Sequence, residues 1–155
     1  MSTTLKVSPV VAGCWRMAEW GWSALETARW IGQAIERGAT SFDHADIYGG
    51  YQCEALFGAA LALAPELRQH MQLISKCGIQ LVHPARPGHR LKAYDTSAAH
   101  IAASVDNSLR ALGTDHLDLL LIHRPDALLD AAEVAATFGR LRTAGKVRAF
   151  GVSNF

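Results

Sequence analysis

Short apolar runs alternate along the chain with amphipathic segments, and this alternation predicts the secondary structure. The apolar runs have strand length and cover residues 10–15, 40–44, 72–75, 117–122 and 147–152. Between them, apolar residues at helical spacing predict helices over residues 23–38, 53–63, 101–112 and 131–144. Strands and helices in strict alternation are typical of a parallel sheet covered by helices.

Several helix boundaries carry signals of their own. Ser23 and Glu26 form a capping-box pair, which satisfies otherwise orphaned amide donors at a helix start. Gly38 and Gly113 mark helix ends, and Pro65 stops the helix before it. The prolines, glycine and cations of segment 84–94 predict a surface loop. In the first two helices, the spacing predicts buried stripes at Leu25, Ala28, Ile31 and Ile35, and at Leu56, Ala60 and Leu63.

No linker, repeat or low-complexity tract interrupts this pattern, so we expect a single domain over residues 1–155. Two α/β architectures fit about five strands and four helices. A doubly wound open sheet would be complete at this length. An eight-stranded barrel needs roughly 250 residues and would be cut off a little past halfway. Periodicity alone leaves both architectures open.

Composition narrows the class of protein. The chain has 155 residues, of which 50% are hydrophobic, so it can bury a real core. Its formal net charge of +1 is too balanced to indicate a nucleic-acid reader or a binder of anionic membranes. No apolar run reaches the roughly 18 residues of a membrane helix, and the first residues do not resemble a secretory signal. Three cysteines without zinc-type spacing indicate reduced thiols and a cytoplasmic protein.

Four polar residues fall at or just beyond the carboxyl ends of predicted strands, where parallel α/β folds place their ligand chemistry. They are Asp43, Tyr48, Lys76 and His123. Each has a purely structural explanation when taken alone. Asp43 could be a cap, and Tyr48 an aromatic whose hydroxyl reaches the surface. Lys76 could be a solvated cation, and His123 a hydrogen-bonded core imidazole. Together they bring an acid, a phenol, a cation and a base to one mouth, which predicts an active site.

These four residue types suit proton delivery to a carbonyl oxygen as a hydride arrives. A tyrosine, with an ordinary pKa of about 10, is a poor proton donor near neutral pH, but an adjacent ammonium stabilises its phenolate. Lys76 would supply the ammonium, and Asp43 at ion-pair distance would keep it charged in a partly dry cleft. His123 could donate a hydrogen bond that polarises and orients the carbonyl group.

Four longer motifs occupy residues 42–49, 74–76, 117–125 and 145–155. In their order, approximate spacing and residues they resemble the aldo-keto reductases, and Asp43 and Tyr48 keep that family's five-residue step. The resemblance runs from the first strand to the last residue. It implies a (β/α)8 TIM barrel, truncated here to about five strand-helix units, with residues 1–155 as the N-terminal portion of one barrel domain.

The resemblance also implies an activity and its residues. Members of the family reduce aldehydes or ketones to alcohols with NADPH, and the small-molecule carbonyl substrate is the partner we expect. Tyr48 matches the family's general acid, and Lys76 and Asp43 match the residues that tune it. His123 matches the residue that orients the carbonyl. These roles agree with those expected from the chemistry of the residues.

Other positions match the family's cofactor and substrate contacts. Ser153 and Asn154 correspond to the pair that hydrogen-bonds the nicotinamide carboxamide, a neutral group that needs paired donors and acceptors. The turn containing Trp15 and Arg16 resembles the one where backbone approaches the cofactor and an aromatic faces the substrate. We therefore expect Arg16 beside the cofactor and Trp15 as a substrate wall, with packing of the barrel mouth as the alternative for Trp15. His44 replaces the family's more usual small residue, and its role stays open.

A five-stranded part of a barrel has consequences of its own. Three strand-helix units of the family's barrel are absent, including the segments that hold the pyrophosphate and the 2′-phosphate. The first and fifth strands would form open edges with unpaired backbone groups, which predicts low stability or self-association through those edges. We expect weak or no turnover from this chain alone.

Two other classes of function fit some of these features. A non-catalytic cofactor-sensing or interaction module could use the same barrel, although such a module need not retain all four polar residues. A metal-dependent hydrolase could use His44 with Asp46, and His123 with Asp126. Because Lys76 in the same mouth would repel a dication, we predict no metal site.

Overall fold

The computed structural model describes residues 5–155. Its main sheet contains five parallel strands, β1 (Val11–Gly13), β2 (Ser41–Asp43), β3 (Gln72–Cys77), β6 (Leu117–Ile122) and β7 (Val147–Val152). Two short strands, β4 (Ile79–Gln80) and β5 (Ala93–Tyr94), pair antiparallel as a separate two-stranded sheet. The five α-helices are α1 (Met17–Trp20), α2 (Ala24–Glu36), α3 (Cys53–Leu63), α4 (Ala98–Leu112) and α5 (Ala131–Thr143).

The order of the strands separates the two architectures that periodicity left open. The five strands lie side by side in the order β1-β2-β3-β6-β7, which is also their order along the chain. A doubly wound sheet reverses its strand order at a switch point, whereas a (β/α)8 barrel adds each strand next to the previous one. Helices α2, α3, α4 and α5 pack successively against one another. The chain therefore folds as five strands of a (β/α)8 barrel, which confirms the predicted fold class.

The local signals mark the start of α2 and the ends of α3 and α4 as predicted, whereas the short helix α1 and the first residues of α4, from Ala98, were not predicted. At the start of α2, the Glu26 amide donates to Ser23 Oγ at 3.2 Å, and the Ser23 amide donates to Glu26 Oε2 at 2.8 Å. Gly113 ends α4 in the left-handed backbone conformation. A 3-10 helix, Pro65–His70, follows α3 at the predicted proline stop.

The core lies between the sheet and the helices, and it corrects two predicted stripes. In α2, Ala28 and Ile31 are buried as expected, but Leu25 is 51% exposed. In α3, Leu56 and Leu63 are exposed, whereas Phe57 is fully buried. The reason is that α3 is apolar almost all round, so residue spacing alone does not identify its inward face. The largest fully buried side chains include Phe42, Phe57, Ile31, Leu73, Ile101, Leu112 and Leu120.

Other elements differ from the prediction in ways that matter for the site. The predicted surface loop 84–94 ends in β5, which pairs with β4 and folds the segment back over the sheet's carboxyl edge. Strand β3 extends through Cys77, so Lys76 lies within the strand. The cysteines Cys14, Cys53 and Cys77 are buried and unpaired, as expected. Within residues 5–155, none of the helices combines the length and apolar character needed to cross a bilayer.

Candidate active site

Lys76 is the centre of the candidate site. Its Nζ donates to both carboxylate oxygens of Asp43 at 2.7 Å and to Tyr48 Oη at 3.0 Å. A fourth acceptor is the main-chain oxygen of His44, at 2.9 Å. Parallel pairing sets this arrangement, because Asp43 ends β2 directly beside Ile74 of β3. The carboxylate compensates for the burial of the ammonium, since Lys76 is only 6% exposed.

The segment after β2 turns tightly and returns Tyr48 to Lys76. The Asp46 amide donates to the Lys76 oxygen at 3.1 Å, and the Tyr48 amide donates to the Ala45 oxygen at 3.1 Å. Gly49 follows with a φ of +57°, and a Cβ there would lie 2.8 Å from the Ala18 Cβ. Only glycine suits both that backbone conformation and that close approach. We call residues 44–50 the catalytic turn, after Tyr48, the predicted general acid that they contain.

His123 comes from the end of β6 and faces the same site. Its amide donates to the Cys77 oxygen at 2.9 Å, and its ring meets Tyr48 edge to face at a centroid separation of 5.8 Å. Burial, and then the charges of Lys76 and Arg124, lower the pKa of His123 to about 4. Its Nδ1 is buried and has no partner within residues 5–155. The imidazole is therefore neutral near pH 7.

These residues open onto one cleft of about 700 Å3. Seven of the eight predicted site residues line it: Asp43, Tyr48, Lys76, His123, Trp15, Ser153 and Asn154. Arg16 is the exception, because its guanidinium lies over the Trp15 ring, 5.3 Å from the centroid, and it is not among the lining residues. Trp15 itself is 62% exposed, so it forms a wall of the cleft and is not part of the core.

Ser153 and Asn154 lie at the carboxyl end of β7. Asn154 adopts a left-handed backbone conformation with a φ of +63°. Its Nδ2 donates to the His123 oxygen at 3.1 Å and to Ser153 Oγ at 2.8 Å. These bonds orient the amide and leave the Asn154 Oδ1 as an acceptor and the Ser153 hydroxyl as a donor. A carboxamide needs such a pair, so these residues fit the nicotinamide end of a cofactor.

The structure adds cleft residues that the sequence analysis missed. Lys92 and Tyr94 reach the cleft from the β4–β5 hairpin, and Arg124 follows His123 directly. The position of Arg124 just past a strand end could have indicated its place. No sequence signal marks Lys92 or Tyr94, because their approach depends on the long-range pairing of β5 with β4.

His44, whose role the sequence left open, is a core residue. Its ring is fully buried and packs edge-on against Phe57 at a centroid separation of 4.6 Å. Neither ring nitrogen has a hydrogen-bond partner among the described residues. Burial, and then the charge of Lys76, lowers the pKa of His44 to about 3. The side chain is thus a neutral apolar filler of the core.

The residues considered as metal ligands do not converge. Asp126 accepts a hydrogen bond from Thr96 at 2.9 Å, and His44 is enclosed by the core. Across residues 5–155, no three His, Cys, Asp or Glu side chains are grouped in a way that could hold a metal ion. The hydrolase alternative therefore has no support from the geometry of these residues.

Comparison with known proteins identifies the family. Residues 9–155 match the model of the aldo/keto reductase family. The chain belongs to this family. It is 54% identical over its whole length to the uncharacterized oxidoreductase YcsN of Bacillus subtilis, and 46% identical over its whole length to 6-dehydroglucose reductase of Agrobacterium fabrum. It spans 52% of each of these proteins, about half their length.

A solved structure supports the same relationship. The aldo/keto reductase of Klebsiella pneumoniae, solved in complex with NADP and acetate, is 28% identical, and the two structures superpose with a TM-score of 0.74. The match covers 96% of this chain and 46% of the Klebsiella chain. The predicted family is thus confirmed, and the chain corresponds to about half of such a barrel.

Proposed function

We propose that this chain supplies the catalytic residues of an NADPH-dependent reductase that converts aldehydes or ketones to alcohols, with Tyr48 as the general acid. One observation carries the proposal. The Lys76 ammonium lies 2.7 Å from both Asp43 oxygens and 3.0 Å from the Tyr48 oxygen, at a cleft large enough for small ligands. Family membership supports the same chemistry.

Proton donation follows from the direction of these hydrogen bonds. Lys76 donates to Tyr48 Oη, so the phenolic hydrogen is free to point into the cleft. As that hydrogen leaves toward a substrate oxygen, negative charge grows on Oη, and the adjacent ammonium stabilises it. The Asp43 carboxylate holds the ammonium in place through two hydrogen bonds.

His123 orients the substrate. A neutral imidazole carries one hydrogen, and an N–H buried without an acceptor is costly, so the hydrogen belongs on Nε2 and not on the buried, unpartnered Nδ1. Nε2 can then donate to the carbonyl oxygen that receives the Tyr48 proton. This bond polarises the carbonyl and fixes its distance from the phenol.

Ser153 and Asn154 would hold the carboxamide of the cofactor, and NADPH supplies the hydride when bound. The choice of NADP rests on the Klebsiella relative, whose structure contains it. Arg16 remains a predicted cofactor contact from outside the cleft lining. Trp15 would bound the substrate as a wall of the cleft. Three unpaired cysteines and the use of NADPH both suit the reducing cytoplasm.

The test uses a completed barrel, meaning this chain joined to the C-terminal half of the Bacillus relative. We expect Tyr48→Phe to lower kcat for NADPH-dependent aldehyde reduction by at least about 100-fold, because the substitution removes the proton donor and keeps the ring. Tyr94→Phe is the matched control, since Tyr94 lines the same cleft, and it should keep most of the rate. Reduction that survives Tyr48→Phe unchanged would contradict the role of Tyr48 as proton donor, whereas a parent barrel that binds NADPH but reduces no aldehyde would favour the non-catalytic, cofactor-sensing module.

A further inference from the structure

Two buried carboxyl groups lie behind the catalytic turn, and the proposed proton transfer does not use them. Asp46 belongs to the turn and is 7% exposed, and Glu54 belongs to the first turn of α3 and is 5% exposed. Neither forms an ion pair with a cation within residues 5–155. Burying a carboxyl group without a paired cation costs free energy, so the position of these two groups needs an explanation.

Asp46 links three elements at the site. Its amide donates to the main-chain oxygen of Lys76 at 3.1 Å, which ties the turn to β3. Its Oδ2 accepts from Ser104 Oγ of α4 at 3.0 Å, which ties the turn to that helix. Tyr48 follows two residues later. A shift of Asp46 would therefore move the phenol relative to the ammonium.

Glu54 supports Lys76, the other residue of the Tyr48–Lys76 contact. Its Oε1 accepts from Ser75 Oγ at 2.6 Å, and Ser75 directly precedes Lys76 in β3. Burial raises the pKa of Glu54, and the Ser108 side chain of α4 also acts on this carboxyl group, because its hydroxyl lowers that pKa as a donor. The two carboxyl groups thus connect both sides of the Tyr48–Lys76 contact to a single helix, α4.

These connections come at a cost in stability. Burial, and then repulsion from Glu54, raise the pKa of Asp46 to about 7. Asp46 Oδ1 has no partner within residues 5–155, although Asp46 borders a polar cavity of about 240 Å3. An apolar side chain of similar size would fill this place more cheaply, but it could not accept from Ser104.

We propose that Asp46 is a positioning residue, which holds Tyr48 at hydrogen-bond distance from Lys76 through its bond from Ser104 of α4. The inference rests on the proposed role of Tyr48 as proton donor. What matters is an acceptor at this position and not its charge, because Ser104 is a neutral donor. Asparagine keeps such an acceptor and is the conservative replacement.

The kinetic test compares variants of the completed barrel. Asp46→Ala and Ser104→Ala should each lower kcat by about 10- to 100-fold, because a displacement of about 1 Å at a reacting group costs on that order. KM should change by less than about twofold, since neither side chain lines the cleft. Asp46→Asn should recover most of the lost kcat. Ser104→Ala removes only one hydroxyl, so it tests the bond even if Asp46→Ala does not fold.

The control is Asp106→Asn. Asp106 lies on the same helix, but its carboxylate is half exposed and pairs with Lys146 at 2.6 Å, away from the catalytic turn. This variant removes a carboxylate that belongs to α4 itself, and it should leave kcat unchanged. If Asp46→Ala and Ser104→Ala both lower kcat no more than Asp106→Asn does, the proposal is overturned.

A second measurement needs no turnover and uses the 155-residue chain itself. The chain is labelled with 13C at tyrosine Cζ, and the Tyr48 resonance is assigned from its loss in Tyr48→Phe. Asp46→Ala and Ser104→Ala should shift this resonance, Asp46→Asn should largely restore it, and Asp106→Asn should leave it in place. An unmoved resonance in both alanine variants contradicts positioning by Asp46. Full reduction by Tyr48→Phe would instead contradict the proposed function, so the two failures are distinct.

Discussion

At the scale of single residues, burial decides which groups carry charge. Lys76 keeps a carboxylate partner in the interior, whereas the His44 ring has no polar partner among the described residues. The pKa of His44 is about 3 in the fold and about 6.5 in the unfolded chain. Between these values the unfolded chain takes up a proton that the folded ring does not bind. His44 therefore leaves stability intact above pH 6.5 and reduces it as the pH falls toward 3.

The loss of stability that His44 causes at low pH gives a prediction for His44→Leu. A leucine does not titrate, so the fall in unfolding free energy between pH 7 and pH 4 should shrink by about 3 kcal/mol. Urea unfolding of the chain at both pH values measures the change. His70→Leu, which replaces an exposed histidine, is the matched control. An acid sensitivity that His44→Leu does not alter would show that the ring is accessible to protons in the folded chain.

At the scale of elements, the helices hold the site because they pack closely. Helix α3 follows the catalytic turn, and α4 bonds to both Asp46 and Glu54. Gly58 lies where α3 approaches α4, and a Cβ at that position would collide with the main-chain oxygen of Ala111. At Gly139 on α5, by contrast, an added Cβ would lie in open space. The two glycines therefore have opposite consequences for substitution.

Alanine at each glycine tests this difference. Gly58→Ala should lower the free energy of unfolding by about 2 kcal/mol or more, because the added methyl forces α3 and α4 apart. Gly139→Ala should raise it by about 0.5–1 kcal/mol, since alanine favours a helix interior. Denaturant unfolding of both variants measures the pair. Equal tolerance at the two positions would mean that α3 and α4 are not in close contact.

At the scale of the whole molecule, the chain holds one part of the proposed cofactor site. Ser153 and Asn154 line the cleft and suit the carboxamide. The family resemblance implies that the phosphate-binding segments belong to the part of the barrel that this chain does not span. Strands β1 and β7 lie at the two edges of the sheet. Their unpaired backbone groups remain predicted surfaces for self-association.

Cofactor binding by the chain alone should therefore be weak. We expect little or no quenching of its tryptophan fluorescence by NADPH, because contacts to the carboxamide alone supply a small share of the binding energy. Trp15 lines the cleft, so bound cofactor would be detected there, and Trp15→Phe identifies its part of the signal. Submicromolar binding by the 155-residue chain would contradict this prediction.

Much of this protein follows from local patterns in its sequence. Helix caps, the five strands and the clustering of Asp43, Tyr48, Lys76 and His123 could be predicted, because parallel strands bring their carboxyl ends to one edge. The family, too, was predictable from motifs that lie at those strand ends. These features depend on residues close together in the chain, or on the single rule that parallel strands bring their carboxyl ends to one edge of the sheet.

Only the tertiary structure decided the remaining features. The buried face of α3, the enclosure of His44 and the hydrogen bond from Ser104 to Asp46 depend on how distant segments pack. The β4–β5 hairpin, which brings Lys92 to the cleft, has no local signal either. Such contacts join residues far apart in sequence, and no short-range periodicity encodes the distance between them.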